Sequence, residues 1–387
     1  MKKTQKPAPT TKRIDGIDIL RGFALMGILL VNILGFNASF FNFGGFYSSL
    51  PDAFQQSFYN IFISLTADKF IFLFSFLFGY GIWMQYKKFG NQAKCFNTFF
   101  TRRMLLLAVF GIAHVVLLWA GDILVIYAIT GFIMLSLYRL STRWLIPVAL
   151  FFYFFISIWL LADVWIDLPN AMSSTCTECL DTAKRIYSDG NYVQVLALRM
   201  QEYYAFLNIN AFYYLPKVVG IVIMGFVASR NDLYHLIIKN RKRSLLILAV
   251  LTILSIIIYF GYEKIVDFSS PFANALYMFG YEVMNLFIAS TYIFIILLIS
   301  SFHTVSKALK PVAFMGRMSL TNYLMQSLIM AVLFYGWGFG LFGQTNIVML
   351  VCIALGIFVV QMIWSVLWFR SKKQGPLEKL WRDFSYR

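Results

Sequence analysis

Ile17-Asp-Ile-Leu-Arg21-Gly-Phe-Ala-Leu-Met-Gly-Ile-Leu-Leu-Val-Asn32-Ile-Leu-Gly-Phe36 is the stretch that decides what kind of molecule this is. At 1.5 Å per residue, a helix of that length matches the ~30 Å hydrocarbon core of a bilayer. Lys2, Lys3, Lys6, Lys12 and Arg13 precede it, and such positive charge stays on the cytoplasmic side. The layout is that of a signal peptide, but Arg21 and Asn32 interrupt the apolar part and no clean small-x-small cleavage site follows. It reads as an uncleaved first membrane span.

Comparable segments recur along the chain. Their limits are 17–36, 58–86, 104–121, 122–140, 144–163, 211–229, 244–262, 276–301, 313–335 and 346–369. The composition agrees, with 60% hydrophobic and only 13% charged residues. A soluble domain carries about 25% charge and roughly 45–50% apolar residues, and a disordered chain is poor in aromatics, so both classes are excluded. The expected fold is all-α: a polytopic integral membrane protein of about ten transmembrane helices with both termini cytoplasmic. A basic arm (1–16) and a basic tail (370–387) flank one membrane domain (17–369), whose single long outer loop is 164–210. Within that loop, residues 190–207 suit an amphipathic helix.

The net charge of +16 arises from 33 Lys and Arg against 17 Asp and Glu. In a soluble protein it would point to nucleic acid. Here the basic residues gather at 2–21, 87–103, 139–143, 230–243, 307–317 and 370–387, alternating with weakly basic stretches that hold most of the carboxylates. That is loop topology, and nucleic acid is not an expected partner. Cys176 and Cys179 form a Cys-x-x-Cys pair in the outer loop. Two ligands do not make a zinc site, so no metal is expected, and a local disulfide is the preferred reading.

Ionisable groups inside a span are functional candidates, because burying them is expensive. His114 lies in the third span, 11 residues beyond Arg103, which places the two on one face about 16 Å apart. Arg21 and Asn32 repeat that spacing in the first span. An anion entering from the cytoplasm could bind the arginines and extend a thin arm inward; alternatively, the arginines merely snorkel to the interface. Asp68 and Lys69 sit in the second span, where Asp68 could orient His114. Glu282 and Asn285 share a face of the eighth span, and Asn322 and Gln326 follow Arg317 at helical spacing in the ninth. Asp122 follows His114 by eight residues, about 80° round a continuous helix, so no contact is expected there. Its alternative role is to cap the next helix.

Several of these stretches resemble the YeiB family of bacterial membrane proteins. They are Asp18-Ile-Leu-Arg21-Gly22 with Asn32, Asp68-Lys-Phe with Leu73-Phe-Ser-Phe-Leu-Phe-Gly79, Arg102-Arg103, His114, Gly121-Asp122, Gly316-Arg317-Met-Ser-Leu-Thr-Asn322, and Gly375-Pro-Leu-Glu378 with Trp381-Arg382. That family is similar to transmembrane acyltransferases, among them the heparan glucosaminide N-acetyltransferase and bacterial surface O-acetyltransferases. The resemblance implies a multi-pass protein of the bacterial plasma (inner) membrane that passes an acyl, or acetyl, group from cytoplasmic acyl-CoA to an outer-face acceptor. The chain departs from these relatives where they carry a histidine: it has Asn32 in the first span and no histidine within 33–67. His114 is the internal replacement and would act as general base. Asp68 would orient it and Asn32 would donate to the thioester oxyanion. Arg21, Arg102, Arg103 and Arg317 would hold coenzyme A, and Asp122, Glu282, Asn322 and Gln326 are the candidates for the acceptor side. The expected partners are acetyl-CoA or another acyl-CoA, membrane lipids and an acceptor of unassigned identity, with a homodimer left open. A transporter or flippase using the same polar groups is the competing reading, followed by a structural or sensory subunit.

Overall fold

The computed structural model describes residues 14–38, 46–47, 50–90, 92–162, 177–262 and 271–386. Among these residues there is no strand. The helices in chain order are α1 (Asp15–Asn37), α2 (Ala53–Thr66), α3 (Lys69–Phe89), α4 (Ala93–Leu117), α5 (Leu124–Leu137), α6 (Thr142–Tyr153) and α7 (Phe155–Ala162). They continue with α8 (Thr177–Asp189), α9 (Tyr192–Ile209), α10 (Leu215–Arg230), α11 (Leu233–Lys239), α12 (Arg241–Tyr262) and α13 (Pro271–Ser300). The last are α14 (His303–Ala308), α15 (Lys310–Arg317), α16 (Ser319–Phe334), α17 (Ile347–Ser371) and α18 (Pro376–Ser385).

Among the described residues, seven stretches are long and apolar enough to cross a membrane, and α6 with α7, bent by 59°, makes an eighth if the pair is one span. The shorter apolar helices α5 and α16 account for the remaining two of the ten expected segments. The molecule is a multi-pass membrane protein of all-α class. Its surface has the polarity that lipid selects. On α4, Leu105, Val109, Ile112 and Val116 are exposed, whereas Met104, Leu107, Gly111 and His114 point inward. The i, i+3, i+4 spacing of the two sets divides one helix into a lipid face and a protein face.

Three boundaries differ from the sequence reading, each for a local reason. The second span is broken at Asp68, whose backbone is left-handed (φ 63°). The third span starts earlier and stops at Leu117, after which the chain turns over residues 118–123. The ninth segment is divided at Met318 into α15 and α16, because the first-turn amides of α16 are bonded by a side chain of α18. In the outer loop, an Asn191–Gln194 capping box starts α9, so the expected helix is present, but its faces are not divided as expected: Val193 is exposed while Arg199 and Glu202 are buried. The Cys176–Cys179 pairing lies outside the described residues.

α1 is the hub and packs against α3, α13, α15, α16 and α17. α3 crosses α10 at Gly79 and Gly225. A Cβ at either glycine would overlap a carbonyl of the other helix, so only glycine permits this approach. α9 sits against the far end of α4, while α18 lies against its basic end. The bundle thus holds α4 between two covers.

Candidate functional site

His114 is 1% exposed and sits one turn before the end of α4. The turn at 118–123 brings the chain back, so that Asp122 Oδ1 lies 2.9 Å from His114 Nδ1. The separation expected along one continuous helix is thereby corrected: the helix ends before Asp122. The other carboxylate oxygen, Oδ2, accepts the Val125 amide at 2.8 Å and caps α5, as the capping alternative requires. On the opposite side of the imidazole, Ser327 Oγ of α16 lies 2.8 Å from Nε2. A carboxylate only accepts, so Nδ1 donates to Asp122; in the neutral ring Nε2 then accepts from the serine hydroxyl, whose other acceptor in reach is the Tyr323 carbonyl at 3.4 Å. The order Asp122–His114–Ser327 is that of acyl-transfer triads, which are recognised by geometry rather than chain order. Tyr323 packs beside it, its ring 5.2 Å from that of His114. Its hydroxyl is buried and makes no side-chain hydrogen bond among the described residues, with the Ile123 backbone beside it.

A cavity of about 190 Å³ leads toward this group from the basic face. Arg21, Arg103, Arg317, Glu378 and Trp381 line its mouth, Ile28 and Leu107 its wall, and Tyr127 and Tyr323 its inner end. Asp18 bonds both Arg21 (3.2 Å) and Arg317 (3.1 Å), while Arg317 also reaches Asp15 at 2.8 Å. The Arg103 guanidinium lies 3.4 Å above the Trp381 ring, whose indole N–H donates to the Arg103 carbonyl at 2.7 Å. Glu378 accepts the amides of Leu320 and Thr321 and the Thr321 hydroxyl. Tyr127 is held by Ser75 at 3.0 Å. A larger groove of about 470 Å³ between α6–α7 and α13 is lined almost wholly by side chains such as Leu150, Phe154 and Phe279, and suits lipid chains.

A second polar group lies between α3, α10 and α13. Lys217 Nζ bonds Asp68 Oδ2 at 3.0 Å and Glu282 Oε1 at 2.8 Å, and the Tyr213 hydroxyl bridges the same two oxygens. Tyr281 adds a third donor to Asp68 at 3.0 Å. The carboxylate of Asp68 is therefore turned to Lys217 and not to His114, and Asp122 takes the orienting position expected of it. The left-handed backbone at Asp68 aims it this way.

The remaining candidates separate as follows. Arg103 lines the cavity and Arg102 does not, because successive helical residues point about 100° apart. Asn32 is half-buried and makes no side-chain hydrogen bond to a described residue, so it does not join His114. Asn322 is structural: its amide reaches the Met315 carbonyl and Ser365, linking α15, α16 and α17. Gln326 is buried beside Ser327, with both amide atoms unpartnered among the described residues. Sequence reasoning assigned no site role to Ser327, Tyr323, Lys217, Glu378 or Trp381. Lys217 carried a readable signal as a lone cation in an apolar segment, and Glu378 and Trp381 stood in a stretch quoted only for its resemblance. On the far side, buried Arg199 of α9 donates to the Val116 carbonyl at 2.8 Å and closes the end of α4.

Residues 231–387 match the family model "Protein of unknown function (DUF418)". Over its full length the chain is similar to "Uncharacterized protein YxaH" of Bacillus subtilis (28% identical, 98% of this chain and 96% of the relative). It is similar to "Uncharacterized protein YeiB" of Escherichia coli (26% identical, 96% of each chain). The chain is thus similar to YeiB and YxaH over nearly all of its length. A 39.9 kDa protein from the amylase 3′ region of Bacillus acidopullulyticus is 28% identical over 98% of this chain. These similarities span α1 through α18, so the His114 group, the cavity and the Lys217 network all lie within the matched region.

Proposed function

We propose that this protein is an acyltransferase of the bacterial plasma membrane, moving an acyl group, acetyl in the simplest case, from cytoplasmic acyl-CoA to a hydroxyl or amine on the outer face. The observation that carries the reading is the buried Asp122–His114–Ser327 chain behind Tyr323, which lines the inner end of a cavity whose mouth holds Arg21, Arg103 and Arg317. Drug-sized ligands occupy roughly 300–1,000 Å³. The observed cavity is smaller and suits a thin pantetheine-like arm, with the nucleotide and its phosphates remaining outside at the arginines. Arg103 to His114 is 11 residues of helix, about 16 Å, which matches such an extended arm. His114 Nε2 would take a hydroxyl proton, with Asp122 holding the ring in the tautomer that leaves Nε2 unprotonated.

The test is acetyl-CoA binding and turnover by purified protein. Wild type is expected to bind acetyl-CoA and release free CoA thiol. His114→Ala should bind with similar affinity but turn over roughly 10²–10⁴-fold more slowly. Absence of any acyl-CoA interaction in wild type sinks the reading. The Asp68–Lys217–Glu282 network favours the second reading, a transporter, because buried carboxylates that share a lysine also occur on ion and proton paths. In that case Lys217→Met abolishes uptake or export in vesicles, while acetyl-CoA is ignored.

A further inference from the structure

We infer that Ser327 is the covalent carrier of the acyl group, so that transfer across the membrane proceeds through a seryl ester. This rests on the acyl-transfer reading of the same site. Two geometric facts support it. First, His114 Nε2 is already occupied by Ser327 Oγ at 2.8 Å, so the hydroxyl it can deprotonate without rearrangement is that of the protein itself. Second, Ser319, Tyr323 and Ser327 are four residues apart on α16 and form one line. Ser319 and Tyr323 line the cavity, and Ser327 stands one turn beyond its inner end.

The chemistry balances in two halves. In the first, Ser327 Oγ attacks the thioester carbonyl as its proton passes to His114 Nε2. The C–S bond breaks, the departing thiolate takes that proton, and CoA leaves as the free thiol. In the second, an acceptor hydroxyl or amine arriving from the outer side attacks the ester carbonyl. Its proton goes to Nε2 and then to Ser327 Oγ as the C–O bond breaks. Each half needs access from one face only, which suits a donor and an acceptor on opposite sides of a bilayer. Ser327 is fully buried, so the ester is shielded from water between the halves. The Tyr323 hydroxyl, on the residue whose ring packs beside the imidazole, donates to no side chain among the described residues and is the donor at hand for the tetrahedral oxyanion. A direct transfer would require the acceptor to displace Ser327 from Nε2.

The experiment incubates the full-length protein in nanodiscs with acetyl-CoA labelled in the acetyl group and without acceptor, quenches in acid, and locates the label by peptide mass spectrometry. The expected result is a burst of about one CoA thiol per chain, with label on Ser327. Ser327→Ala should still bind acetyl-CoA but show neither burst nor label. Ser327→Cys, a near-isosteric second variant, should trap a thioester that neutral hydroxylamine removes. Wild-type turnover with no label on Ser327, label on another residue, or full turnover by Ser327→Ala overturns the inference while leaving acyl transfer standing. If wild type neither binds nor consumes acetyl-CoA, the inference and the functional reading fall together.

Discussion

At the scale of single residues, the tautomer of His114 is the most sensitive variable. Asp122→Asn preserves shape but supplies an N–H donor as well as an acceptor, so the ring can bind in the reverse tautomer with Nε2 protonated. By analogy with other triads, turnover should drop roughly 10³–10⁴-fold with acetyl-CoA affinity unchanged; a loss of affinity instead would assign Asp122 to binding. Lys217 presents the opposite case. Its removal leaves two buried carboxylates facing each other, and breaking a buried pair from one side typically costs about 3–5 kcal/mol. Lys217→Met should therefore lower the thermal unfolding midpoint in detergent well below that of Lys217→Arg. His114, Asp122 and Gln326 were legible as isolated polar positions in apolar sequence. The His114–Asp122 bond was not, because it depends on a turn whose exact end no periodicity marks. Ser327 was invisible for a simpler reason: serine is common in membrane helices, and its partner lies 213 residues away.

At the scale of elements, α18 and α16 depend on each other. The first-turn amides of α16 find their acceptor in Glu378, and removing such a cap typically costs about 0.5–2 kcal/mol. Glu378→Ala should destabilise by that amount in a denaturant titration, and it should also loosen the cavity mouth that Glu378 and Trp381 line. Trp381→Ala removes the ring on which the Arg103 guanidinium rests. A cation–π contact of about 0.5–2 kcal/mol holds that guanidinium in place, so acetyl-CoA should bind several-fold more weakly. An unchanged dissociation constant would show that Arg103 needs no support. The ten apolar segments could be read directly, since lipid enforces length and composition. The breaks at Asp68 and Met318 could not, because each is stabilised by a tertiary bond, to Lys217 and to Glu378 respectively.

At the scale of the whole molecule, the bundle places the basic ends of α1, α4 and α18 together around one cavity mouth. Charge assigns that face to the cytoplasm. Cys95, exposed near the start of α4, reports on it. A membrane-impermeant maleimide should label Cys95 in inverted vesicles and leave it untouched in intact cells; the reverse pattern would invert the topology. The Glu378 cap also bears on how the protein is made. Thr321 and its cap are 57 residues apart, so α16 emerges from the ribosome long before the acceptor for its amides has been synthesised. Until residues 376–385 follow, the helix carrying Ser327 has an unfinished end inside the nascent bundle. Completion of the cavity is thus timed by translation, and a chain released early would present a bundle whose cavity has no finished mouth.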